Sequence, residues 1–117
     1  MSDLIYRVEK DQDLIVLTLM LDNVLMDENE ELQETFAVFI DEGAKKIVLD
    51  FSETSFISSI VLASMVFMLK RAKEAGGNLV LSGVKDKVAE VLKITNLDKI
   101  FEIFEDNKQA IDYLKQS

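Results

Sequence analysis

The apolar positions of this chain fall into runs whose period changes along its length. Residues 4–9 (LIYRVE) and 14–20 (LIVLTLM) are rich in Leu, Ile and Val, and the turn-like Asp11-Gln12-Asp13 lies between them. That pattern predicts an opening β-hairpin. From Asp27 the period lengthens: Leu32, Phe36, Phe39 and Ile40 fall at i, i+4, i+7 and i+8, on one helical face. A helix is predicted over 28–42, with Asp27 and Glu30 as a capping pair and Gly43 just beyond the last turn. The next apolar run, Lys46 to Phe51, shows no alternation, which suits a central parallel strand covered on both faces. A loop rich in Ser and Thr follows. Ser58-Ser59 then open a second helix that stops at Gly76-Gly77. Its first half is apolar almost all round, so it is either deeply buried or lends a flank to a partner. Asn78 to Ser82 reads as another short buried strand, closed by Gly83. Val84, Val88, Val91 and Leu92 make a third helix ending near Asn96, and Ile100 to Phe104 reads as a final strand. Asp106 with Gln109 starts a last short helix that carries Ala110, Ile111 and Leu114 inward.

The order β-β-α-β-α-β-α-β-α implies an α/β fold: a mixed sheet of about five strands with four helices, parallel except for the hairpin. One domain over residues 1–117 is expected. Charge narrows the function. There are 13 basic and 22 acidic side chains, a net charge of −9, which argues against nucleic acid as a partner and favours a basic or mixed-charge protein. The sequence has no His and no Cys, which removes imidazole bases, thiolate nucleophiles, disulfides and the usual zinc sites. The longest apolar run, Ile60 to Leu69 with Ser64 inside it, is shorter than the roughly 18 residues a bilayer demands. The opening Met-Ser-Asp-Leu-Ile shows no basic segment ahead of a long apolar one, so no membrane insertion and a cytoplasmic location are expected.

In open α/β sheets the site lies beyond the carboxyl ends of the strands, which here means loops 21–26, 51–58 and 82–84. Loop 51–58 is the most unusual. Ser52, Glu53, Thr54, Ser55, Ser58 and Ser59 surround apolar Phe56 and Ile57. It has neither Gly nor Lys, so it is no phosphate loop, and no nucleotide or other cofactor is expected. Asp22 and Asp50 form a carboxylate pair on paper, yet no base, nucleophile or Lys completes an enzyme. Local chemistry makes Ser58 a helix N-cap, worth about 1 kcal/mol. Asp50 at the end of the third strand also invites comparison with phosphoacceptor receiver domains. Those need an acidic pair after the first strand and a Lys after the fifth, whereas this chain has Val8-Glu9-Lys10 and Phe104-Glu105-Asp106 there.

The stretch Ile47-Val48-Leu49-Asp50-Phe51-Ser52-Glu53-Thr54-Ser55-Phe56-Ile57-Ser58-Ser59 resembles the strand–loop–helix signature of STAS domains, and more narrowly that of bacterial anti-sigma-factor antagonists. The family pattern runs roughly L-D-x-S-x-V-x-x-x-D-S-S-G. A second stretch, Leu92 to Phe101 (LKITNLDKIF), is similar to the family's L-x-L-T-G-L-D-K-I-F. The resemblance implies a STAS fold and a regulator that binds an anti-sigma factor which is also a serine/threonine kinase. Ser58 matches the phosphorylated Ser, with Ser59 as the alternative. Ile57 stands where the family has Asp, and Ile60 and Asn96 stand where it has Gly. Asp50 and Ser52 match the family's D-x-S, and Asp22 falls where its first site loop carries a polar residue; with the sheet-end rule, the expected partner-binding residues are Asp22, Asn23, Asp50, Ser52, Thr54, Phe56 and Ile57, beside the exposed flank of the 59–75 helix, on a monomer or weak homodimer. The alternative implied role is an unphosphorylated docking subunit of a transporter or a stress-signalling assembly.

Overall fold

The computed structural model describes residues 6–20 and 26–116. Five strands form one sheet: β1 (Tyr6–Asp11), β2 (Leu14–Leu19), β3 (Lys46–Asp50), β4 (Asn78–Ser82) and β5 (Ile103–Phe104). Four helices accompany it: α1 (Met26–Asp41), α2 (Ser59–Glu74), α3 (Asp86–Ile94) and α4 (Asn107–Lys115). The strands lie side by side in chain order; β1 pairs antiparallel to β2 and every other pair is parallel. Gln12, at φ 56°, occupies the left-handed region that the two-residue turn of the β1–β2 hairpin requires.

The strand order never reverses, so the crossovers α1, α2 and α3 all fall on one face of the sheet. There Ile15, Leu17, Leu19, Ile47, Leu49, Leu79 and Leu81 pack against Leu32 and Phe36 of α1, Met65, Met68 and Ala72 of α2, and Val88 and Leu92 of α3. The other face is smaller. Leu14, Val16, Val48 and Val80 pack only against Ala110 and Leu114 of α4, with Phe104, Ile111 and Tyr113 at the margin. Helices on both sides explain why all six residues of β2 are buried despite its place beside an edge strand.

The apolar start of α2 resolves into two sides. Val61, Leu62, Met65, Met68 and Leu69 are buried, whereas Ile60, Val66 and Phe67 stay exposed. α1 and α2 end in the same way. The amides of Gly43 and Ala44 bond back to Ile40 and Phe39, and those of Gly76 and Gly77 to Lys73 and Ala72, with positive φ at Gly43 and Gly76. Gly77 is fixed by space instead, since a Cβ there would stand 1.9 Å from the Lys45 carbonyl oxygen.

Three boundaries differ from the sequence pattern. α1 already begins at Met26, so Asp27 lies in its first turn instead of capping it. α3 begins at Asp86, after Val84, which packs beside the core from the preceding loop. β5 contains only Ile103 and Phe104 of the predicted 100–104. Asn96 takes a left-handed φ of 62°, residues 97–99 form a 3₁₀ turn, and the Phe101 amide bonds back to the Leu97 carbonyl. That turn drives Phe101 into the larger core as a plug. The Asp106–Gln109 cap forms as predicted, with the Gln109 amide donating to Asp106 Oδ1 at 2.9 Å.

Gly77→Ala is expected to cost at least about 2 kcal/mol, because its new methyl meets backbone that cannot step aside. Urea unfolding should show a lower midpoint at an unchanged slope. A midpoint at the wild-type value would contradict the close approach of residues 45 and 77.

Candidate functional site

Parallel register lines up three polar residues at the carboxyl end of the sheet: Thr18 opposite Asp50, and Asp50 opposite Ser82. Each lies at or near the end of its strand, and each is buried. They share the face covered by α4, whose first residue, Asn107, reaches down to them. The Asp50 carboxylate accepts from the Ser52 backbone N–H at 2.8 Å, from Asn107 Nδ2 at 2.9 Å and from Thr18 Oγ1 at 3.2 Å. The Ser82 hydroxyl donates to Asn107 Oδ1, which fixes the amide's orientation. Burial pushes the Asp50 carboxyl up. Bonds from the Ser52 amide, the Asn107 side chain and the Ser52 and Thr18 hydroxyls outweigh that effect and hold it below its ordinary value of 3.8. Gly83 sits against this turn at φ +64°, and a Cβ there would lie 2.9 Å from Asp50 Oδ1 and 3.0 Å from the Ser52 amide.

From Asp50 the chain leaves the carboxyl end of the sheet in a loop with a period of three. Phe51, Thr54 and Ile57 point inward and are buried, while Ser52, Glu53, Ser55 and Phe56 face out. The Thr54 hydroxyl donates to the Leu19 carbonyl at 3.0 Å, and its amide donates to the Phe51 carbonyl. Ile57 joins the larger core. The loop is therefore pinned from below at three points, and its outer side chains ride on a rigid frame. It ends at Ser58, the N-cap of α2, whose Oγ accepts from the Val61 amide at 3.4 Å. Ser58 is half-buried, and Ser59, the first helical residue, is exposed. Phe56 is 48% exposed and Ile60 37%, so an apolar shoulder flanks the two hydroxyls. A shallow groove of about 270 Å³ between Phe56 and Lys87, Glu90 and Val91 of α3 adjoins it.

The model matching this chain is that of the STAS domain, over residues 6–110. The chain belongs to the STAS family. A Thermotoga neapolitana protein named "putative anti-sigma factor antagonist" is 33% identical over 109 residues, which cover 92% of this chain and 93% of that one. The crystal structure of a Thermotoga maritima protein of the same name is 28% identical and superimposes with a TM-score of 0.82 over 94% of both chains. The anti-sigma factor antagonist SpoIIAA has been solved unphosphorylated and phosphorylated. The two forms superimpose with TM-scores of 0.84 and 0.74 at 18% and 17% identity, over 96% and 92% of this chain and 97% of each of theirs.

Within this STAS domain the sequence-nominated residues separate by role. Ser52, Phe56 and Ser59 are exposed and Ser58 is half-buried. Asp50, Thr54 and Ile57 lie beneath them, occupied with the fold's own contacts. Asp22 and Asn23 fall outside the described residues. Asp50's two oxygens already accept three bonds from the chain, which makes the carboxylate a structural anchor and a poor metal ligand. Among the described residues no group of three or more acidic side chains could hold a metal ion, and no helix is long and apolar enough to cross a membrane. Sequence reasoning passed over Thr18, Gly83 and Asn107. The available signal was the polar residue near the carboxyl end of each apolar run, which parallel register stacks into one row.

A carboxyl held below its unfolded value stabilises the native state above that value, and the contribution disappears as the pH falls through the folded one. Asp50→Asn is therefore expected to cost about 1.5–3 kcal/mol at pH 7. The gap to wild type should close as the pH drops below about 3.9. Denaturant titrations at pH 7 and pH 3 check this, and a gap of equal size at both would contradict it.

Proposed function

We propose that this STAS domain is an anti-sigma-factor antagonist, a binding protein and not an enzyme, which sequesters an anti-sigma factor that is also a serine/threonine kinase. In this reading the whole chain, 1–117, works as one cytoplasmic domain, monomeric or weakly dimeric, controlled by phosphorylation of Ser58 (Ser59 is the alternative acceptor). The observation that carries the reading is the position of Ser58: a hydroxyl at a helix N-terminus, on a loop fixed from below, beside exposed Phe56 and Ile60. The names carried by its relatives point the same way.

The mechanism follows from the frame. The unmodified loop presents Ser52, Phe56 and the two hydroxyls to the partner. Asp50, Thr54 and Ile57 hold its shape. A phosphate on Ser58 brings about −1.5 to −2 charges at pH 7. The domain tolerates that charge, because the free amides and dipole of the α2 N-terminus favour an anion there by about 0.3–1 kcal/mol. The complex does not. A partner surface shaped for a neutral hydroxyl must then bury an unpaired charge, at several kcal/mol. Moving a partner from almost fully bound to almost fully free takes about 5.5 kcal/mol of differential affinity.

Ser58→Ala is expected to keep the partner bound and to resist release by ATP, while losing at most about 1 kcal/mol of helix capping. Ser58→Asp should melt near the wild type yet bind poorly. Calorimetry with the anti-sigma partner, together with intact-mass analysis of protein recovered from native cells, tests both. Normal binding by Ser58→Asp, with phosphate on neither serine, would hand the loop face to the unphosphorylated docking role in a transporter or stress-signalling assembly. Phe56→Ala should weaken binding by about tenfold or more, because it removes the largest exposed apolar contact on the loop.

A further inference from the structure

α1 and α2 leave between them a second groove, of about 270 Å³, lined by Glu30, Gln33, Glu34, Ala37, Phe67 and Arg71. We propose that it docks a basic amphipathic helix of a protein partner.

The floor is apolar and fixed. Phe67 is 45% exposed, an unusual fraction for a ring on a packed helix, and Ala37 lies opposite it. Beneath them the Gln33 side-chain amide donates to the buried Ser64 hydroxyl and holds the two helices at a set spacing. The groove is therefore formed before anything enters it.

The rim is net anionic, with Glu30 and Glu34 against a single Arg71. α1 carries six acidic residues and no Lys or Arg. Glu30 and Glu34 stand one turn apart on the same face, a like-charge spacing that disfavours an isolated helix. Both are exposed, and neither makes an ion pair among the described residues. Arg71, which lines the same groove, has its guanidinium carbon 6.0 Å from the Phe67 ring centroid.

This combination selects its occupant. An apolar floor of Ala37 and Phe67 between two packed helices suits an apolar side chain from one face of a third. Acidic rims call for Lys or Arg on that helix. A second copy of this chain would set α1's acids against one another, and nucleic acid or an anionic membrane would be repelled by the same rim. The groove's centre lies more than two turns along α2 from Ser58, so it can be tested apart from the phosphorylation face.

The probe is a Leu/Lys amphipathic helical peptide, with a control carrying Glu at every Lys position, added to the ¹⁵N-labelled full chain. The Lys peptide is expected to shift the amides of Gln33, Ala37, Phe67 and Arg71, and the Glu peptide to shift none of them. The double variant Glu30→Lys/Glu34→Lys should fold normally and bind the Lys peptide about tenfold or more weakly. Phe67→Ser should also weaken it, and Ser58→Asp should leave it unchanged. No binding of the Lys peptide, equal binding of both peptides, shifts centred on residues 52–60, or full affinity in the double Lys variant would each overturn the proposal. Failure of Ser58→Asp to disturb the anti-sigma partner would count against the phosphorylation switch alone and leave this groove standing.

Discussion

The buried carboxylate of Asp50 is the constraint on which the working end of this domain depends. A charge removed from water must be met by donors, and here they come from three places: β2 through Thr18, the site loop through the Ser52 amide, and α4 through Asn107. Each donor ties one element to the end of the central strand. The interaction sets the direction in which the chain leaves β3, the seat of α4 on the smaller core, and the close approach of Gly83. With Asp50 satisfied, Phe51, Thr54 and Ile57 can fall into step beneath the loop and leave its remaining side chains outside.

The second constraint is topological. Doubly wound sheets make a ligand crevice where the strand order reverses, with helices diverging to either side. This sheet runs from β1 to β5 without reversal, and its three crossover helices share one face. The carboxyl end therefore carries a raised shoulder with shallow grooves beside it, where a doubly wound sheet would carry a deep cleft. A shoulder of hydroxyls and half-exposed apolar side chains suits a protein surface better than a small molecule, in keeping with a STAS domain that acts by binding.

Most of the architecture was legible because local signals and tertiary packing agree. Apolar runs marked all five strands, helical periodicity marked all four helices, and the Gly43 and Gly76-Gly77 stops fell where the helices end. The disagreements have a common cause. Phe101 looked like strand because it is large and apolar, but the left-handed turn at Asn96 leads it into the core as a plug. Ile57 and Thr54 were expected at the partner-binding face, yet both are buried: one fills the core and the other spends its hydroxyl on the Leu19 carbonyl. Burial within an irregular segment follows from what lies beneath it, and a linear pattern holds no record of that.

By itself the sequence determined the element order, the mixed sheet, the capping position of Ser58 and the charge that favours protein partners, since periodicity, turn chemistry and net charge are local or additive properties. Only the tertiary structure decided that Thr18, Asp50, Ser82 and Asn107 form one hydrogen-bonded row, that every third loop residue turns inward, and that Glu30 and Glu34 of α1 face Phe67 of α2 across a groove. Within that row, directly bonded residues lie up to 57 positions apart. These groupings exist because parallel register and helix packing fix distances that the chain, read in order, leaves free.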